Sequence, residues 1–312
     1  MEQLNQNQSH GIEPNVRESQ QNTTKERVTV LGLGPMGQAL AGAFIKNGHA
    51  TTVWNRTTAK ADPLITQGAV LAPTVPDAVL ASQLIIICVL HYDAVRSILS
   101  NATSALKGKT LINLTADSPE RAREMAAWAA ENGINYIDGA IMTPITTIGQ
   151  PSAVVLYSGQ EKVYRSHRNT LSSLGGTASF LGEDPGRAAA YDVALLDVFW
   201  TAMSGYVHAL AIARAENVAA KDIAPYAQNI INIMPDIMTY IAQDVDQGVY
   251  PGQSSSLISN MTSMEHIIHV AEHHGIDSSV LNAAKAIAQR AIHAGHGEDG
   301  FSRLVEFNRT TV

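Results

Sequence analysis

GEDPGRAAAYDVALLDVFWTAMSGYVHALAIAR, residues Gly182–Arg214, opens on chain breakers (Gly182, Pro185, Gly186) and then carries no proline and one glycine, Gly205. Asp184 ahead of Pro185 has the pattern of an N-cap followed by a first-turn proline, which predicts a long helix starting here. Val193, Leu195, Leu196, Val198, Phe199, Trp200, Met203, Val207 and Leu210 make nearly every face of that helix apolar. Such a helix is expected to be buried on all sides. At 1.5 Å per residue it is roughly 40 Å long, enough to run between two domains or two subunits.

Two acids on it have different surroundings. Asp197, Thr201, Ser204 and His208 recur at helical spacing and form one polar stripe. Asp192 lies about 140° away at 100° per residue, and its helical neighbours are Ala188, Ala189, Leu195, Leu196 and Phe199. A carboxyl alone on an apolar face either has its pKa raised or awaits a cation. It is a candidate functional acid, the plainer alternative being a buried Asp that caps backbone elsewhere.

Working outward toward the N-terminus, Arg27–Leu31 is a β-branched strand followed at once by Gly32-Leu33-Gly34-Pro35-Met36-Gly37 and a helix over Gln38–Asn47. This is G-x-G-x-x-G between a strand and a helix. The first glycine permits the tight turn, the second lets a pyrophosphate approach the backbone, and the third lets helix and strand pack closely. The next strand, Ala50–Trp54, ends in Asn55-Arg56-Thr57-Thr58, with Lys60 beyond. An NAD site places an acid there for the ribose 2′-hydroxyl; a neutral Asn followed by an Arg and two hydroxyls suits a 2′-phosphate, hence NADPH. Thr57 or Thr58 as a helix cap beside a surface Arg is the plainer account, and both can hold.

Strands over Gly68–Leu71, Leu84–Val89, Thr110–Asn113 and Asn135–Asp138 alternate with helices over Val75–Ser82, Ala94–Asn101 and Pro119–Asn132, which predicts a parallel doubly wound sheet. Ala153–Tyr157 and Phe180-Leu181 add two strands. The strand ends His91-Tyr92 and Thr115-Ala116-Asp117 then line the crevice where a nicotinamide lies, with Val89, Leu90 and Thr115 as candidate cofactor contacts and Ala116 and Asp117 as candidate pocket residues. After Arg214 the pattern is helical only, over Ile223–Asp246, Gln253–His274 and Ser278–Ala294. The expected organisation is a disordered Gln/Asn-rich tail over 1–24, a cofactor-binding domain over 25–184, and the long helix with an all-α domain over 185–312. His266, His269 and His273 share a face with Glu265 and Glu272 interleaved, which reads as a solvated face rather than a metal site.

The 312 residues carry a net charge of −7 with no basic run, which argues against nucleic acid as a partner. Cys88 is the single cysteine, within LIIICVL, so an internal disulfide is excluded. No apolar run is read as reaching the roughly 18 residues of a membrane span and no signal-peptide core is read at the N-terminus, so a cytoplasmic location without membrane partners is expected.

GLGPMG, WNRTT, LTADSP and the long helix together resemble the β-hydroxyacid dehydrogenase superfamily, in which G-x-G-x-x-x-K opens the interdomain helix and the lysine is the catalytic acid–base. Here Gly186-Arg-Ala188-Ala-Ala-Tyr191-Asp192 keeps the spacing with Asp192 in the lysine's place, and that superfamily's D-A-P-V-S-G-G loop is replaced by Asp138-Gly-Ala-Ile-Met-Thr-Pro144. Both departures, with WNRTTAKA, LIIIC, NLT, YSG, YDVALLDVFW, SGYVHALA and GHG, resemble the imine reductases from about residue 25 onward.

The resemblance implies an NADPH-dependent reductase of C=N bonds, with Asp192 donating a proton or stabilising an iminium ion. It also implies a homodimer that exchanges helical domains, so that one subunit's Rossmann domain meets the other's helices. Trp200 and Met203, with Tyr226, Met234, Met238, Ser259 and Asn260 from the second subunit, are then candidate walls of an apolar pocket, or plain core. Reductive aminases, which join a ketone and an amine before reduction, tend to carry Asn at the position of Ala116 and Tyr at that of Trp200. The absence of both sets the expectation of weak condensation. A β-hydroxyacid dehydrogenase with an unusual acid and a non-catalytic NADP-binding sensor are the competing readings.

Overall fold

The computed structural model describes residues 25–309; the tail expected over 1–24 lies outside them. In chain order the elements are β1 (Val28–Leu31), α1 (Pro35–Lys46), β2 (Thr51–Trp54), α2 (Asp62–Ile65), β3 (Val70–Leu71), α3 (Val75–Leu80), β4 (Leu84–Ile87), α4 (Tyr92–Leu99), α5 (Thr103–Leu106), β5 (Thr110–Asn113), α6 (Pro119–Glu131), β6 (Asn135–Ile141), β7 (Val154–Gly159), α7 (Glu161–Leu171) and β8 (Thr177–Phe180). Four helices complete the described chain: α8 (Arg187–Ala215), α9 (Ala220–Gln247), α10 (Leu257–His273) and α11 (Ser279–Ala291). Contacts divide it into two units, one ending at Leu196 and the other starting at Asp197, inside α8.

In the first unit the strands form one sheet in the order β3-β2-β1-β4-β5-β6-β7-β8. β1, β4 and β5 are buried along their whole lengths, because helices cover both faces of the sheet. One face packs Val28, Val30, Leu84, Ile86 and Ile112 against Leu40 and Phe44 of α1 and Leu171 of α7. The other packs Leu31, Ile85, Ile87 and Leu111 against Val95 and Leu99 of α4 and Met125 of α6. The order reverses at the β1–β4 pair, and that reversal opens the crevice in which such sheets take their ligands.

Four expectations require correction. The sheet is not parallel throughout: β7 runs antiparallel to β6, with Asp138 opposite Ser158 and Ala140 opposite Leu156. Period-two alternation carries no direction, so the reversal could not be read from Ala153–Tyr157. α8 begins at Arg187, two residues past Pro185, with Pro185 and Gly186 forming a turn; Asp184 makes a cap-type contact there, its carboxylate accepting from the Gly186 amide at 3.0 Å, and pairs with Arg123 at 2.8 Å. Finally, α8 is not covered on all sides by its own chain, since Tyr191, Val193, Leu195, Leu196, Val198, Phe199 and Trp200 are 38–63 % exposed. The same helix is long and apolar enough by length and composition to cross a membrane, so the view that no run approaches a span does not hold.

The second unit is built from helices around Leu257, Ala288, Ala291 and Leu304. Its α9 contains Pro225 and Pro235, ends on Gly248 in the left-handed conformation, and buries none of its residues. His266, His269 and His273 are exposed along α10, and the described residues hold no cluster of three or more metal-ligating side chains.

Candidate active site

The glycine loop is shaped for a diphosphate. Gly32 sits at φ +95°, and a Cβ there would lie 2.3 Å from the Cys88 carbonyl oxygen, so only glycine fits against β4. Gly34 is the N-cap of α1 without a side-chain cap, Pro35 follows, and no acid occupies the first turn. A Cβ on Gly34 would meet open space. The uncapped amides and the positive end of the helix dipole therefore face a vacant approach, which suits an anionic cofactor group.

Asn55 is largely consumed by the protein itself. Its Oδ1 accepts from the Leu33 amide at 2.9 Å and its Nδ2 donates to the Thr57 carbonyl at 2.9 Å. It thus ties the glycine loop to the turn after β2, and Gln38 adds a second tie to the Lys60 carbonyl at 2.9 Å. Arg56, Thr57, Thr58 and Lys60 are exposed on that turn.

Beyond β4 and β5 the strand-end loops are cross-linked. Thr115 Oγ1 accepts from the Val89 amide at 3.1 Å, and Asn113 Oδ1 from the Thr115 amide at 3.1 Å. Asp117 is bound by the Tyr92 and Ser118 amides at 3.2 and 2.8 Å and by Arg121 at 3.4 Å. That carboxylate therefore fixes the start of α4 against the start of α6. Leu90 (85 % exposed) and Ala116 are left open on the same loops.

Asp192 is the one buried residue between Tyr191 and Trp200, at 5 % exposure. Burial pushes its carboxyl above the ordinary aspartate range. Its placement starts at the sheet. Ser158 on β7 accepts from the Ala188 amide at 2.9 Å and donates to the Pro185 carbonyl at 3.0 Å, so a strand hydroxyl caps α8. Ala188 packs on Ala140 and Leu156, and Asp192 follows one turn later on the same side.

Sequence reasoning did not single out the group beneath it. Asp138 on β6 is 1 % exposed; it accepts from the Tyr92 hydroxyl, and from the Tyr136 hydroxyl at 2.9 Å. Asn113 Nδ2 in turn donates to Tyr136 at 3.1 Å. Burial pushes the Asp138 carboxyl up to about 7; the two tyrosine hydrogen bonds oppose this, and the charges of Asp192 and Asp117 add to it. The legible signal was a Tyr and an Asp two apart in an apolar strand, which puts both on one face.

The helical pocket candidates, Trp200 and Met203 on α8 included, all belong to the second unit. Trp200 and Tyr226 are 63 % and 72 % exposed, Met203, Met238 and Ser259 are exposed, and Met234 and Asn260 are half-buried. Asn260 accepts from Ser255 at 2.6 Å. A cavity of about 790 Å³ in that unit is lined not by these residues but by the polar stripe Thr201, Ser204 and His208 with Ile212, Ile267 and Leu281.

A dinucleotide-binding sheet, a long helix bearing one buried acid and a helical unit define a two-part oxidoreductase. Residues 27–182 match the NAD-binding domain of 6-phosphogluconate dehydrogenase, and residues 184–310 match the C-terminal domain of NADPH-dependent reductive aminase-like proteins. The NADPH-dependent reductive aminase of Aspergillus oryzae is 38 % identical over 90 % of this chain and 97 % of its own length. An imine reductase from Myxococcus stipitatus solved with NADP+ superposes with a TM-score of 0.87 at 38 % identity, over 91 % of this chain and all of that one. A reductive aminase from Aspergillus terreus, solved with NADPH4, cyclohexanone and allyl amine, gives 0.86 at 38 % identity, over 92 % of this chain and all of that one. The chain belongs to the imine reductase and reductive aminase family, NADPH-dependent oxidoreductases acting on C=N bonds.

Proposed function

We propose that the protein reduces imines and iminium ions to amines, with Asp192 as the catalytic acid. The observation that carries this is the burial of Asp192 alone along an otherwise exposed run of α8, in the register where the related dehydrogenases place a lysine. Bound NADPH supplies the hydride. Gly32, Leu33, Gly34, Pro35 and Met36 would hold the diphosphate, Arg56, Thr57 and Thr58 the 2′-phosphate beside Asn55, and Val89, Leu90 and Thr115 the nicotinamide end. Asp192, its carboxyl pushed upward by burial, would in its acid form give a proton to a neutral imine nitrogen, and as a carboxylate it would hold an iminium cation.

Cyclic imines are the expected substrates, and a ketone with an amine a second class, which the reductive aminases among the relatives support. Ala116, Asp117, Trp200, Met203, Tyr226, Met234, Met238, Ser259 and Asn260 would form the substrate pocket. The assignment takes residues 25–184 as the cofactor domain and 185–312 as the helical domain of a cytoplasmic homodimer.

NADPH oxidation over a panel of cyclic imines, ketone–amine pairs and hydroxyacids tests the activity. Asp192→Ala should lower turnover roughly 10²–10⁴-fold on a neutral imine, with the fold and NADPH binding kept. The loss should be small on a permanently charged N-alkyl iminium ion. Asp197→Ala, on the polar stripe, should cost stability more than turnover. Turnover lost in a folded Asp197→Ala and kept in Asp192→Ala would overturn the assignment.

A further inference from the structure

The loop from β4 to α4 leaves β4 at the point where the strand order reverses. Two of its residues, Leu90 and His91, are exposed, and Leu90 is 85 % so. The next residue is the opposite. Tyr92, the first of α4, is 1 % exposed, while Asp93 beyond it is exposed again.

Three partners hold Tyr92, each by a different part of the residue. Its amide donates to Asp117 Oδ2, on the loop after β5, at 3.2 Å. Its hydroxyl donates to Asp138 Oδ1 on β6. Its ring lies 6.0 Å from the Arg121 guanidinium of α6, at the outer limit of a cation–π contact. The partners are fixed in turn. Asp117 accepts from the Ser118 amide at 2.8 Å and pairs with Arg121 at 3.4 Å, and Arg121 also pairs with Asp93. Asp138 accepts from Tyr136 at 2.9 Å, and Tyr136 accepts from Asn113 on β5 at 3.1 Å.

Both ends of the loop are therefore tied down. Ahead of Leu90, the Val89 amide donates to Thr115 Oγ1 at 3.1 Å; after it, the Ala94 amide donates to His91 Nδ1 at 3.2 Å. Packing alone would be met by Phe at position 92. The hydroxyl adds a fixed depth and angle, because a buried phenol left without a partner is costly and this one has its acceptor on β6.

We infer that Tyr92 is a positioning residue which, held by Asp138, Asp117 and Arg121, sets where Leu90 stands against the nicotinamide end of the cofactor. The inference rests on the assignment of Val89, Leu90 and Thr115 to that end. Hydride transfer makes the demand: reacting atoms must lie about 3–3.5 Å apart, and a 1 Å misplacement can cost about 10²-fold.

The test compares two ligands by calorimetry: NADPH, and 2′,5′-ADP, which keeps the adenosine and 2′-phosphate but has no nicotinamide. Tyr92→Phe retains the ring and removes only the hydroxyl tether. Its NADPH dissociation constant should rise roughly 3–10-fold, the range of one hydrogen bond, with that of 2′,5′-ADP unchanged. Its kcat on a cyclic imine should fall about tenfold or more. Arg121→Gln, at a partly exposed site, should split the two ligands in the same way, and serves if Tyr92→Phe fails to fold.

Leu90→Ala checks the underlying assignment and should weaken NADPH but not 2′,5′-ADP. Unaltered NADPH binding and kcat in Leu90→Ala would overturn the assignment of the loop, and the inference with it. If Leu90→Ala weakens NADPH alone while folded Tyr92→Phe and Arg121→Gln keep wild-type kcat and bind both ligands as the wild type does, the positioning role alone is overturned. Equal weakening of both ligands in Tyr92→Phe, the mark of a general structural part, overturns it too.

Discussion

Arg56 is the side chain on which we propose cofactor choice turns. With both polar atoms of Asn55 engaged by Leu33 and Thr57, the exposed Arg56 and its neighbouring hydroxyls are the groups left to meet a 2′-phosphate in that proposal. Losing one charge-assisted contact costs roughly 1.5–3 kcal/mol, or about one to two decades in affinity. Arg56→Ala should weaken NADPH binding by that factor and leave NADH binding nearly unchanged, measured by titrating intrinsic fluorescence. Equal effects on both cofactors would contradict the assignment. At this scale the sequence was readable where a residue's own type fixed its place, as with Gly32 in its tight turn and Asp192 set apart on its run of α8. It was not readable where the partner came from far along the chain. Asp138 looked like part of an altered loop, and only the fold brings Tyr92 to it.

The elements follow the same division. α1, α6 and the central strands were legible because their apolar positions repeat strongly and Gly or Pro marks their ends. α7 was missed because EKVYRSHRNTL shows only Val163, Tyr164 and Leu171 as apolar, a stripe too narrow to read among charges. The start of α8 was placed two residues early because Pro185 and Gly186 form a turn ahead of Arg187, and the β7 hydroxyl that also caps it lies outside the local pattern. That cap yields a test. Ser158 is fully buried and both accepts from Ala188 and donates to Pro185. Ser158→Ala should cost about 1–3 kcal/mol, from a lost cap that leaves the buried Ala188 amide without an acceptor, measured by urea denaturation. Because Asp192 rides one turn above the cap, kcat should fall too, with the NADPH dissociation constant kept. Lost stability with unchanged kcat would show that the placement of Asp192 does not depend on Ser158.

At the scale of the whole molecule, the exposed apolar residues of α8 and α9 are the surface on which the expected second copy would sit. Tyr226, Ile230, Ile231, Ile233, Ile237, Met238 and Tyr240 on α9 are 44–72 % exposed, and that helix buries no residue in its own chain. Soluble monomers rarely carry contiguous apolar patches beyond a few hundred Å², and α8 adds further exposed apolar residues to those of α9. A second copy of the chain is the cover that the family resemblance implies, and an obligate interface of about 2,000 Å² or more would supply it. Light scattering over a dilution series should therefore show a dimer and no folded monomer. Exchange of helical domains makes a sharper demand, because each site would then combine the sheet of one subunit with the helices of the other. Gly32→Val should prevent cofactor binding, since its side chain would collide with the Cys88 carbonyl, and Tyr226→Ala should damage the helical half of the site. Each homodimer alone should be nearly inactive. In a co-expressed mixture, the heterodimer would hold one site with both lesions and one with neither. Activity should recover toward half the wild-type value per heterodimer if sites are composite, and stay at the level of the separate variants if each subunit builds its own.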